Sequence, residues 1–204
     1  MEQDKCDFYS QSFHVDCMNS KLLIKWRLPD WIRKEVDWRR PRPADREKIG
    51  LAIRLADLNV AHRTGGPFGA AVFNRAGELL AVGVNRVVEE GSSLAHAEIV
   101  ALTFAQQRTG RARLHGAGEL YTLASSAQPC AMCLGALLWA GIGRLLYGAS
   151  RRMVESLTGF DEGPVPGHWR RELKNRGIEV RGPCRQTAAA AALRRYRELD
   201  GELY

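Results

Sequence analysis

Apolar positions 49, 52, 53, 56 and 60 recur at the spacing of one helix face, so Ile49, Ala52, Ile53, Ala56 and Val60 predict an amphipathic helix. Thr64-Gly65-Gly66-Pro67 stops it. Residues 68–73 and 78–84 read as strands around the turn Asn74-Arg75-Ala76-Gly77. Residues 95–108 form a mostly apolar helix with Gly110 beyond its end. Residues 120–123 read as a strand. Residues 129–140 read as a helix with Pro129 at or just before its start, where a missing N–H costs nothing. Residues 144–148 form a strand, 168–176 and 187–199 form helices, and a short strand lies near 178–180. The order α-β-β-α-β-α-β-α-β-α predicts a mixed sheet with helices on both faces. Residues 1–43 read as an N-terminal extension without an assigned role, and 44–204 as the main domain. The extension mixes Trp26, Trp31 and Trp38 with charge and ends in Arg-Arg-Pro-Arg-Pro, where proline forbids regular helix.

Composition narrows the class. Hydrophobic residues make up 45% and charged residues 26% of 204, which excludes a disordered or collagen-like chain. No apolar run is long enough for a membrane span. The first residues lack the basic and apolar regions of a secretory signal, so a cytoplasmic address is expected. The net charge of +7 is read as a solvated basic surface, and a nucleic-acid partner is not expected.

The chemistry sits in two short segments. His96-Ala97-Glu98 opens one helix and Pro129-Cys130-Ala131-Met132-Cys133 opens another. Cysteines at i and i+3 share a helix face, and a helix start favours thiolate. With His96 they supply three ligands of a tetrahedral zinc ion, one per chain. Three protein ligands leave a position open, which marks a catalytic rather than a structural site. Glu98, two residues from a ligand, is placed to move a proton without ligating the metal. The order H-x-E…P-C-x-x-C matches the general signature of zinc deaminases. An odd number of cysteines argues against a disulfide framework. Cys6 and Cys17 have no nearby histidine pair for a second zinc, and Cys184 reads as a plain thiol.

The segments GGPFGAAVF (65–73), GVNRVV (83–88), AHAEI (95–99), PCAMCLGALLWA (129–140) and GFDEGP (159–164) carry a family resemblance. From about residue 46 onward the chain resembles the cytidine deaminase superfamily, and within it the bacterial guanine deaminases, including those that also act on ammeline. The resemblance implies a three-layer α/β/α fold around a central mixed five-stranded sheet. It implies zinc-dependent hydrolytic deamination of a free purine base, guanine to xanthine and ammonia. Asn85 would then bond a ring edge, Phe68 and Trp139 would wall the base, and Ala70 would line the pocket. Glu162 would be the second proton shuttle, with Asp161 beside it on the substrate side as the lesser candidate. A homodimer is implied, in which the tail at residues 196–204 brings Tyr204 to the neighbouring site. Gln128 stands where the family often has Glu before Pro-Cys, which keeps hydrogen bonds and drops a charge. The rival readings are a tRNA adenosine deaminase, a guanosine or cytosine deaminase, and a non-catalytic zinc-stabilised nucleic-acid-binding module. Glu98 argues against the last, and Leu-Gly-Ala-Leu-Leu-Trp after Cys133 argues against the first.

Overall fold

The computed structural model describes residues 26–116 and 118–204. The readings of Cys6, Cys17 and the first part of the extension lie outside them. The elements are α1 (Trp31–Glu35), α2 (Asp45–Ala61), β1 (Gly69–Phe73), β2 (Leu79–Val84), α3 (Ala97–Thr109), β3 (Thr122–Ala127), α4 (Ala131–Ala140), β4 (Arg144–Ala149), α5 (Arg151–Thr158), α6 (Trp169–Asn175), β5 (Glu179–Arg181) and α7 (Gln186–Glu198). The sheet order is β2-β1-β3-β4-β5. β1 runs antiparallel to β2 and β3, while β3, β4 and β5 are parallel.

Successive strand residues point to opposite faces, and here both faces are covered. Ala71, Phe73, Ala124 and Leu146 pack with Ile32, Ile53, Leu55, Val154 and Leu193, so α1, α2, α5 and α7 form one layer. Ala70, Val72, Leu123 and Leu145 pack with Ala101, Leu102, Leu137 and Leu173, so α3, α4 and α6 form the other. The expected three-layer arrangement with a mixed five-stranded sheet is what forms. Truncating a fully buried side chain such as Leu145 to alanine would cost ~2–5 kcal/mol.

Three features differ from the reading of the sequence. The boundary drawn at residue 43 is not a packing boundary, because Trp31, Ile32 and Val36 sit in the α2-side core. The strand read at 120–123 is β3, which runs on to Ala127 through small residues without a strand signature. It lies between β1 and β4 and is buried throughout, so central pairing overrides weak propensity. α5 went unread because its eight residues bury only Val154 and Thr158. Its start is marked by Ser150, whose Oγ accepts from the Met153 N–H at 3.3 Å.

This topology gathers the site at one end of the adjacent strands β2, β1 and β3. Phe68 precedes β1, Asn85 follows β2, and Gln128 to Cys130 follow β3. α3 and α4 both begin there, with His96 and Cys130 at the positions just before their first turns. Gly83 lets α3 lie directly on β2. A Cβ at that position would strike the Ala97 carbonyl and fall 2.5 Å from Ala101 N.

Candidate active site

His96 Nδ1 lies 3.6 Å from Cys130 Sγ and 3.7 Å from Cys133 Sγ. The ligand atoms of all three residues fall within 4.8 Å of one another. Two sulfurs and one imidazole nitrogen, converging from two helix starts, are the donor set of a tetrahedral zinc ion. The site is also electrostatically suited to a cation. The Cys133 thiol and His96 hold the Cys130 sulfur as thiolate, with its pKa down to about 4. Cys133 goes the other way: its hydrogen bond to Cys130, together with burial, raises its pKa. Burial opposes protonation of His96, but the bond to Cys130 and the charge of Glu98 outweigh it and raise its pKa.

Glu98 is buried, 6% exposed, in the first turn of α3. Its Oε1 accepts from Ser125 Oγ at 2.9 Å, and its Oε2 from the Cys133 thiol at 3.5 Å. Burial and the neighbouring Cys130 charge push its pKa up, the poise a proton shuttle needs. Glu162 arrives from the loop after α5. Gly159, in the left-handed conformation at φ 84°, ends that helix and turns the chain toward the cleft. The Glu162 carbonyl accepts from Ala131 N at 3.1 Å, tying the loop to the start of α4. Burial, then the Cys130 charge, raise its carboxyl pKa to about 8.

A cavity of about 90 Å³ joins these groups to a second set of walls, formed by Phe68, Asn85, Phe160 and Tyr204. Asn85 is buried, and its Oδ1 accepts from Val87 N at 3.3 Å. Phe160 packs edge-on against Phe68, with ring centres 5.4 Å apart, and lies 4.8 Å from the Tyr204 ring. Tyr204 is 40% exposed overall, yet its hydroxyl end lies against Gly66 and is desolvated. That burial pushes the phenol's pKa up, so it stays a neutral hydrogen-bonding group. The tail is tied back by Tyr196, whose hydroxyl donates to Glu202 O at 2.6 Å.

The structure therefore brings His96, Glu98, Cys130, Asn85, Phe68, Asp161, Glu162 and Tyr204 to one cleft, with Cys133 bonded directly beneath. Two expected residues are elsewhere. Trp139 is 78% exposed near the far end of α4, on a hollow shared with Arg113, His115 and Leu120. It walls nothing in this chain's cleft. Ala70 is sealed inside β1, against the α3 layer. Within the single chain, Tyr204 lies over that chain's own cleft. Ser125 and Phe160 were not singled out in the sequence. A serine inside a buried strand and the aromatic within GFDEGP were the signals available.

A three-layer α/β/α domain with an open Cys₂His metal site and a buried, non-ligating carboxylate defines the class of metal-dependent deaminases. The chain belongs to the family described as the cytidine and deoxycytidylate deaminase zinc-binding region, which matches residues 43–149. Two solved structures are similar to it at 40% identity. One is a guanine deaminase from Nitrosomonas europaea (89% of this chain, 98% of that chain, TM-score 0.80), and the other is a complex with 2,6-diaminopurine (89% and 96%, TM-score 0.82). Guanine deaminase from Bacillus subtilis is 37% identical over 111 residues, 54% of this chain and 67% of that protein. A tRNA(Ile)-lysidine synthase from Deinococcus radiodurans is 37% identical over 129 residues, 62% of this chain. The chain spans only 21% of that protein's length. No helix among the described residues is long and apolar enough to cross a membrane.

Proposed function

We propose that this protein deaminates guanine hydrolytically, giving xanthine and ammonia, with ammeline as a second substrate. The observation that carries the reading is the shape of the cleft. It is small, walled by Phe68, Phe160 and Tyr204, and edged by Asn85, which suits a flat free base. The aromatic rings of Phe68, Phe160 and Tyr204 that pack around the cleft favour a flat free base over a nucleoside or tRNA substrate. Likeness to guanine deaminases supports the same choice.

Zinc held by His96, Cys130 and Cys133 supplies the Lewis acidity that makes water a nucleophile near neutral pH. The residues of the chain do the rest. Asn85 bonds the ring edge, and the aromatic walls fix the plane of the base, so the amino-bearing carbon faces the metal side. Glu98 takes a proton from the attacking water and delivers it to the adjacent ring nitrogen. The new C–O bond forms before the C–N bond breaks. Glu162, whose raised pKa favours the acid form, hands its proton to the departing amine, and the proton that the new C–OH loses as it becomes the carbonyl passes to Glu98 and restores the acid. Tyr204 keeps bulk water out while this happens.

The reading includes a homodimer and a cytoplasmic location, where cysteine ligands stay reduced. In a homodimer the tail covers the partner's cleft with the contacts it makes here within one chain. Mixing Glu98→Gln with a chain lacking residues 200–204 separates the two arrangements. Exchange in trans restores activity to the mixture, and closure in cis does not. The function itself is tested by ammonia release from guanine, guanosine, ammeline, cytosine, adenine and tRNA with zinc-loaded protein. Guanine is expected to lead, and faster turnover of tRNA or cytosine would overturn the proposal.

A further inference from the structure

We propose that the segment before α2 is a brace for substrate recognition, acting through Trp31, Thr64 and Asn59 as positioning residues. This rests on the reading above that the base is held at Asn85.

Asn59 lies in the last turns of α2 and is completely buried. An amide in that position is costly unless its bonds are made. Asn59 Nδ2 donates to the carbonyls of Gly66 at 2.8 Å and Asn85 at 2.9 Å. Its Oδ1 accepts from Thr64 Oγ1 at 2.8 Å. One side chain thus ties α2, the loop after it and the residue after β2. Thr64 is fixed in turn, because its Oγ1 accepts from Trp31 Nε1 at 2.9 Å and its carbonyl from Arg86 Nη1 at 2.6 Å. Trp31 itself stacks on His62, ring centres 5.3 Å apart and planes 11° from parallel.

Of the two residues whose carbonyls Asn59 holds, Asn85 lines the cleft and Gly66 lies against the Tyr204 hydroxyl that covers it. There is no slack between them. A Cβ on Gly66 would meet the Tyr204 hydroxyl and fall 3.1 Å from Asn85 Oδ1. A loosened loop therefore moves the recognition amide and the closing phenol together. The metal side shares none of these bonds. The brace should therefore tune how well the base is held while leaving zinc and the proton shuttle untouched.

The test compares Thr64→Val, which deletes the hydroxyl, with Thr64→Ser, which keeps it. Trp31→Phe is the milder companion, since it keeps a ring over His62 and removes the donor. Each is assayed for KM and kcat with guanine, zinc content, melting temperature, and amide hydrogen exchange across residues 64–68 and 85–87. Thr64→Val should raise KM about three- to tenfold, with kcat within about twofold and full zinc, the scale expected for losing the two part-buried bonds of the Thr64 hydroxyl. Exchange should quicken in those two segments, and Thr64→Ser should restore both readouts. Should Thr64→Val fail to fold, Trp31→Phe must show the same split at smaller amplitude. Unchanged KM and exchange in the soluble variants, or a melting-temperature loss alone that serine does not rescue, would overturn the brace. If the wild-type protein leaves guanine untouched, the proposed function fails instead, and the exchange readout still decides the brace.

Discussion

The two sides of the cleft are built in different ways. On the metal side, His96, Glu98, Cys130 and Cys133 come from the first turns of two helices resting on one sheet. Backbone geometry alone sets most of their separations. On the ring side, Phe68, Asn85, Phe160 and Tyr204 come from four distant stretches, brought together by loops and a tail. The difference teaches that bond-breaking chemistry is written locally here, whereas the choice of substrate depends on long-range closure. Damage to the first should be close to all-or-none, and damage to the second graded.

The largest effect is expected at a ligand. Cys130→Ala should lose zinc by metal analysis and fall to background ammonia release, and a chelator should do the same to the parent protein until zinc is returned. Full activity without zinc would break the comparison at its root. Glu98→Gln should keep its zinc and lower kcat by ~10²–10⁴-fold, and survival of more than about a tenth of the rate contradicts the shuttle. On the ring side, Asn85→Ala should lower kcat/KM about 10- to 100-fold at full zinc, the scale of an unpaired hydrogen-bonding group in a recognition site. Removing residues 200–204 takes away the ring packed on Phe160 and should raise KM about two- to tenfold. The smallest effect is expected for Trp139→Ala, below twofold in kcat/KM. A tenfold loss there would mean that a partner copy delivers the indole to the cleft.

Legibility follows the same division. The metal side could be read because two contiguous motifs fall at helix starts, and the helix starts themselves were readable from hydrophobic spacing and Pro129. Ser125 could not, since Ala-Ser-Ser-Ala carries no strand signature until β1 and β4 flank it. The loop bearing Glu162 was found by resemblance, but the helix that delivers it was too short to show a periodic face. Trp139 illustrates the opposite error. It lies in the same motif as Cys133, and proximity in sequence suggested a shared pocket. Six residues along a helix carry the side chain ~9 Å along the axis, out of reach of the cleft. The packing of Trp31, Ile32 and Val36 was hidden because a single turn of helix beside prolines resembles a linker.

Away from the chemistry, at the start of β4 and along β5, Asp45 pairs with Arg144 at 3.3 Å and Arg181 at 2.7 Å, and Glu179 pairs with the same two arginines at 2.7 and 2.5 Å. These side chains are partly exposed, so ions in solution weaken them, and each pair contributes only ~0.2–1 kcal/mol. The proposed substrate, guanine, is uncharged, and its cleft lies at the other end of the strands. Rising ionic strength should therefore soften the resistance of the fold to heat before it alters turnover, so that melting temperature and catalytic rate respond to salt independently.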